Sequence, residues 1–232
     1  MAQVAPSNGT VLLMTKWPEP GRVKTRMSPP LTPAQAARLS VCLLEDALEA
    51  TEAIAEGLGL SVTVCLDPED AIPAARALMP PSFQIQAQRG HGLAERMAYA
   101  VEEAFKAGAP RVFLRGSDTP MLSAAHFKQS LQALGHADVV VSPCEDGGYG
   151  LLGLNRCWPG LFNLEMSTSR VCEETLQRAK ELGARSVEGM PCFDLDTEED
   201  LRTLFWLRNT PERALCLRTL AFLEAQELWP PA

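Results

Sequence analysis

The sequence predicts an α/β fold: a largely parallel sheet covered by helices on both faces. Three observations predict it. Short apolar, β-prone runs alternate with longer helix-periodic segments nearly throughout the chain. The first run, Val11–Met14, carries no charge, which suits a strand buried on both faces. The 232 residues show no linker, repeat or low-complexity stretch, so one domain over 1–232 is the simplest organisation, with 209–232 as a C-terminal helical extension.

In order, Val11–Met14 breaks at Pro18, Pro20 and Gly21, which cannot continue a central strand. Thr32, Pro33 and Gln35 read as N-cap, first helical residue and capping-box partner of a helix running to about Ala55, stopped by Gly57 and Gly59. Ser61–Leu66 reads as a strand, and Asp67–Asp70 as a turn that can open a short helix. Phe83–Gln88 alternates apolar and polar, the pattern of a strand near an edge. After the loop Gly90–Gly92, a helix is expected from Leu93 to Ala107, ended by Gly108 and Pro110. Arg111–Gly116 is a strand, Ser123–Leu134 a helix, Ala137–Ser142 and Tyr149–Leu154 strands. Val171–Leu182 is a helix and Arg185–Glu188 a short strand. Phe193–Asp200 leads into a helix capped by Thr197 or Asp196. A last helix is expected over Pro211–Gln226, with Trp229–Ala232 as a tail.

Composition narrows the function classes. A net charge of -8 argues against a general nucleic-acid binder, which would show a broad basic surface. The seven cysteines are scattered and form no C-x-x-C pair, which argues against zinc and suits a reducing compartment. His91, His126 and His136 read as surface or loop residues. The first ten residues lack the basic start and apolar stretch of a signal peptide, and no run of about 18 apolar residues exists to span a membrane. A soluble, cytoplasmic protein is the expectation.

Against this acidic background one loop stands out. Lys16, Arg22, Lys24 and Arg26 face the single acid Glu19 just after the first strand. The C-terminal edge of a parallel sheet is where such folds bind ligands, and four cations suit a phosphate chain. An extended backbone would point Lys24 and Arg26 the same way. The loop is neither a Walker loop nor a G-x-G-x-x-G fingerprint. Asp118 follows a central strand in a loop that Pro120 keeps from being helical, and also reads as a turn residue or helix cap. Asp194 and Asp196 alternate, so an extended backbone aims both at one side, as a Mg²⁺ site requires; helix capping is the other reading. Asp146, Gly147 and Gly148 allow either a plain tight turn or close approach of a substrate to the backbone. Ser167, Thr168 and Ser169 precede a helix, where hydroxyls cap or hold a phosphate.

These blocks, Thr15–Met27, Gly116–Pro120, Asp146–Tyr149 and Asp194–Leu201, resemble in their order the bacterial DUF2064 proteins, often labelled glycosyltransferases or rSAM/selenodomain-associated transferases. The resemblance runs to about Leu204. It implies the nucleotide-diphospho-sugar transferase superfamily and its GT-A, Rossmann-like α/β/α sandwich with a mostly parallel mixed sheet. Lys24-Thr25-Arg26 is also similar to the Lys-Ser/Thr-Arg motif of the guanylyltransferases that activate phospholactate or phosphoenolpyruvate for coenzyme F420. That likeness implies Asp118, Asp194 and Asp196 as ligands of Mg²⁺ (or Mn²⁺), and Ser167 or Thr168 near a substrate carboxylate or phosphate. Two departures are visible. Pro18–Gly21 replaces the Gly-rich loop start of sugar nucleotidyltransferases, and His91 stands where the family often has Asp.

The expected function is Mg²⁺-dependent nucleotidyl transfer from a nucleoside triphosphate to a phosphorylated small molecule. Lys16, Gly21, Arg22, Lys24, Arg26 and Ser117 would hold the nucleotide. Lys24, Arg26 and Asp118 would act in catalysis, and Asp146, Gly147, Gly148, Tyr149, Ser167 and Thr168 would hold the acceptor. Glycosyl transfer from a nucleoside diphosphate sugar is the alternative, and a non-catalytic nucleotide-binding module is the third.

Overall fold

A computed structural model describes residues 7–229. The chain forms β1 (Gly9–Lys16), α1 (Pro33–Leu58), β2 (Leu60–Asp67), α2 (Ile72–Arg76), β3 (Gln84–Ala87), α3 (Leu93–Lys106) and β4 (Val112–Gly116). It continues with α4 (Ala124–Ala133), β5 (Val139–Pro143), β6 (Tyr149–Leu154), α5 (Val171–Glu181), β7 (Ser186–Glu188), α6 (Glu198–Leu207) and α7 (Leu217–Ala225). The seven strands make one sheet in the order β3-β2-β1-β4-β6-β5-β7. All neighbours run parallel except β6, which is antiparallel to both β4 and β5.

The expected α/β/α sandwich is therefore the observed one. One apolar layer lies between the sheet and α1, α2 and α4, around Leu13, Val64, Phe113 and Phe127. A second lies under α3 and α5, around Leu12, Leu114, Val141 and Leu152. A third cluster ties α6 and α7 to α1 through Leu39, Leu43, Leu195, Leu201 and Leu223. Successive residues of β1 (Leu12, Leu13) thus feed opposite layers, as pleating demands.

The capping box of α1 is present as read: Thr32 Oγ1 accepts from the Gln35 amide. The helix passes Gly57 and stops at Gly59, whose φ of 63° is left-handed. For α6 the cap is Thr197, which leaves Asp196 outside the helix. Asp67–Asp70 does open a short helix, α2, after a 3₁₀ turn over Glu69–Ala71.

Three expectations need correction. The last helix is broken: a 3₁₀ turn covers Pro211–Leu215, and α7 starts only at Leu217. The buried carboxylate of Asp46 on α1 explains the break, because it accepts from the Arg218 amide (3.1 Å) and the Thr219 amide (2.8 Å) and so caps a separate helix. His126 is not a surface residue. It is buried on α4, with Nδ1 at the Ser123 hydroxyl (3.0 Å) and Nε2 at the Pro191 carbonyl (3.0 Å). Nor is the Lys24–Arg26 backbone extended: Lys24 has φ 48° and Thr25–Met27 is a 3₁₀ turn that buries Met27 under α1. Of the expected tail Trp229–Ala232, only Trp229 lies within the described residues.

Candidate active site

Register decides what meets at the C-terminal edge of the sheet. Lys16 pairs with Asp67, so β1 and β2 end level, while β4 stops short of them, its last residue Gly116 pairing with Met14. Because β6 is antiparallel, its first residue, Tyr149, arrives at the same edge opposite Pro143. A cavity of about 830 Å³ opens there. That volume lies in the upper part of the range for small-molecule sites.

Of the residues singled out from sequence, Lys16, Arg22, Lys24, Arg26, Ser117, Asp118, Asp146, Gly148, Tyr149, Ser167, Thr168, Asp194 and Asp196 line this cavity, and so does His91. Gly21 and Gly147 do not. Gly21 turns the loop at φ 78°. Gly147, at φ 85°, sits so tightly against the Ser169 backbone that a Cβ would overlap it, which clamps the 144–148 loop to the segment before α5.

The centre of the site is a set of ion pairs between segments distant in sequence. The Lys24 ammonium lies 2.7 Å from Asp196 Oδ1 and 3.3 Å from Asp118 Oδ2. Arg26 holds the other Asp196 oxygen. The Lys24 side chain is only 7% exposed. Burial alone would lower its pKa, but the carboxylates of Asp118 and Asp196 outweigh burial and hold it above the ordinary value. Burial likewise pushes the Asp196 carboxyl up, and Lys24 with Arg26 overcomes this and holds it down.

Backbone contacts fix these carboxylates. The Leu195 amide donates to the Asp118 carbonyl (2.9 Å), and Leu195 itself is fully buried beside α1. Asp194 and Asp196 on either side of it both reach the cavity, as their alternation required. Ser117 Oγ meets Thr15 Oγ1 at 3.0 Å, which ties the β4 loop to the end of β1. Gly116 leaves room for the Asp118 carboxylate, which occupies the place a Cβ would take. Asp118 caps nothing, since Ser123 caps α4. Asp146 serves its turn, accepting from the Gly148 amide at 2.7 Å, and still lines the cavity. Thr168 Oγ1 accepts weakly from the Arg170 amide (3.4 Å), while Ser167 is exposed at φ 65°.

Asp194 differs from Asp118 and Asp196 because it has no cationic partner among the described residues. Burial first, then the charges of Asp146, Asp196 and Asp118, push its pKa up to about 7. Its ligand atoms and those of Cys144 and Asp146 lie within 4.8 Å of one another. The Cys144 thiol is itself pushed up by burial and by Asp194.

The fit to a divalent cation can be judged from Lys24. Its ammonium shows that Asp118 and Asp196 converge on one cation-sized position, with the Asp194 carboxyl nearby on the same cavity wall. An all-carboxylate donor set suits Mg²⁺ or Mn²⁺.

Several cavity residues carried no signal readable in advance. Gln88, at the end of β3, gives both amide protons to the Thr15 carbonyl (2.9 Å) and the Cys65 carbonyl (2.8 Å). Arg96 pairs with Asp67 at 2.9 Å. Arg115 is buried to 2% exposure and donates only to neutral oxygens: Gly116 carbonyl, Thr51 Oγ1 and Thr119 carbonyl. Burial lowers its pKa to about 10. An arginine inside a strand-like run was the one available signal for the last of these.

The comparisons agree with this fold. A 2-phospho-L-lactate guanylyltransferase of Methanothermobacter thermautotrophicus is 29% identical over 185 residues, which span 77% of this chain and 76% of that protein. A solved structure from Desulfovibrio desulfuricans G20, provisionally named a nucleotide-diphospho-sugar transferase, matches with a TM-score of 0.80 at 28% identity, over 94% of this chain and 98% of that one. A cytidylyltransferase from Leptospira borgpetersenii shares the fold, with a TM-score of 0.58 at 10% identity over 97% of this chain and 98% of that one. Residues 50–170, just over half the chain, match the family described as "Uncharacterized protein conserved in bacteria (DUF2064)", and the chain belongs to that family.

Proposed function

We propose that this protein is a divalent-metal-dependent nucleotidyltransferase that moves a nucleoside monophosphate from a triphosphate onto a phosphorylated small molecule and releases pyrophosphate. The observation that carries this reading is the meeting of Lys24 and Arg26 with Asp118 and Asp196 at the sheet edge. One group suits the phosphates and the other suits their metal. The named activity of the 29% identical relative supports it.

In this reading Lys24 and Arg26, helped by Lys16 and Arg22, hold the β- and γ-phosphates. Asp118, Asp194 and Asp196 would hold Mg²⁺ or Mn²⁺. When bound, the metal supplies charge neutralisation at phosphate oxygens. The acceptor lies against Asp146, Gly148, Tyr149, Ser167 and Thr168, and its own phosphate oxygen attacks the α-phosphorus. That nucleophile is already ionised, so positioning and charge stabilisation suffice and no general base is needed.

Glycosyl transfer from a nucleoside diphosphate sugar is a second reading, favoured by the name of the 28% identical solved structure. The acids argue against it: Asp118 stands alone after the central strand, and the pair comes late. Thermal shifts with the four nucleoside triphosphates and common nucleotide sugars, each with and without Mg²⁺, separate the two. A metal-dependent shift with one triphosphate, joined by pyrophosphate release, supports nucleotidyl transfer. A shift with nucleotide sugars alone overturns it.

A further inference from the structure

We infer that Lys24 and a divalent cation compete for the same two carboxylates, so that metal enters between Asp118 and Asp196 only when a polyphosphate draws Lys24 and Arg26 away. This inference rests on reading the cavity as a polyphosphate site.

The ammonium already occupies the position on which the two carboxylates converge, at 2.7 Å from Asp196 and 3.3 Å from Asp118. Arg26 engages the second Asp196 oxygen, so each oxygen of that carboxylate already faces a cation. Adding a divalent ion would set three positive charges at contact distance, and at 7% exposure Lys24 has little water to screen it. Removing Lys24 without replacing its charge would leave Asp118 without this cation and the partly buried Asp196 with Arg26 alone. The site is thus neutral with its own cations, or with a metal, but not with both.

A triphosphate changes this balance because it offers both cations other anions. Lys24 can leave by rotation of its flexible stem, without moving Leu195 or the β4 loop. Arg26 is 63% exposed and free to swing. Lys16 and Arg96, also on the cavity wall, add to the pull on the phosphates. By linkage, polyphosphate then raises metal affinity by the same factor by which metal raises polyphosphate affinity. The metal is admitted as part of a metal–nucleotide complex, and free metal is kept out.

The test is calorimetric titration of Mn²⁺ alone into the parent protein, Lys24→Met and Arg26→Ala, with no nucleotide present. Lys24→Met is expected to bind Mn²⁺ on the order of tenfold more tightly than the parent. Arg26→Ala is expected to bind it a few times (~3-fold) more tightly, because its pair is more exposed. Equal or weaker binding by Lys24→Met overturns the inference. If Lys24→Met fails to fold, Arg26→Ala decides, with unchanged or weaker binding as the overturning result. Failure here leaves nucleotidyl transfer standing. Absence of turnover with every nucleotide tried would overturn the transferase reading without touching the Mn²⁺ competition.

Discussion

The guanidinium of Arg115 reaches across the loop that carries Asp118 and bonds the carbonyl oxygen of Thr119 at 3.3 Å. It also holds the Gly116 carbonyl (3.1 Å) and Thr51 on α1 (3.1 Å). The loop is therefore pinned at both ends by one buried side chain. Arg115→Met would leave two carbonyls without a donor, at a cost of about 1–3 kcal/mol in unfolding free energy. Urea titration checks this. Arg115→Lys keeps the charge but loses the fork, and is expected to recover only part of the loss. Wild-type stability in Arg115→Met would show that the loop does not depend on this contact.

Asp118→Asn tests the transferase reading at its centre. The amide keeps the shape and the Lys24 contact but loses the charge. Pyrophosphate release is expected to fall at least about a hundredfold, while the triphosphate still binds. Undiminished turnover in this variant would remove Asp118 from the chemistry.

Asp194 links the site to pH. Its pKa is raised from an ordinary 3.8 to about 7, through burial and then the charges of Asp146, Asp196 and Asp118. Between these values the folded protein holds a proton that the unfolded chain has released. Stability should therefore fall as pH rises from about 4 to about 7, and level off above. Asp196 works in the opposite sense: its lowered pKa gives stability above the ordinary carboxylate range that is lost on acidification. Asp194→Asn should flatten the decline between pH 4 and 7 and unfold at higher temperature than the parent at pH 7. Melting curves of the metal-free proteins across this range are the measurement. A parallel slope in both proteins would mean Asp194 is ionised throughout.

Asp46 separates stability from function. It is 4% exposed and caps α7 through the Arg218 and Thr219 amides, and its Oδ1 also meets the Arg218 guanidinium at 3.3 Å. Asp46→Ala removes a buried cap and an ion pair together, and is expected to cost about 2–4 kcal/mol by urea unfolding. Nucleotide binding should persist at temperatures where the variant is folded, because Asp46 does not line the cavity.

Local pattern along the chain was enough for the layers and most of the elements. Apolar runs such as Val11–Met14 had only one physical use, a strand covered on both faces, and Thr32 with Gln35 is a local signal that needs no distant partner. The acids and cations of the site were legible as types placed in the loops after β1, β4 and β5 and in the segment before α6, and Asp194 and Asp196 reached the cavity as their alternation required. Pairing between distant segments was not legible there. That Lys24 meets Asp196 depends on a register that opens the ends of β1, β2 and β4 onto one sheet edge and on a buried Leu195 that presents the acids on either side of it. The break before α7 depends on Asp46, far earlier in the chain. The burial of His126 depends on the Pro191 carbonyl packed against α4. Gln88, Arg96 and Arg115 showed no local motif because their partners are backbone oxygens, a hydroxyl and one carboxylate on other strands, loops and helices. Local propensity is written in neighbouring residues, whereas contacts between distant segments exist only once the sheet edge has brought those segments together.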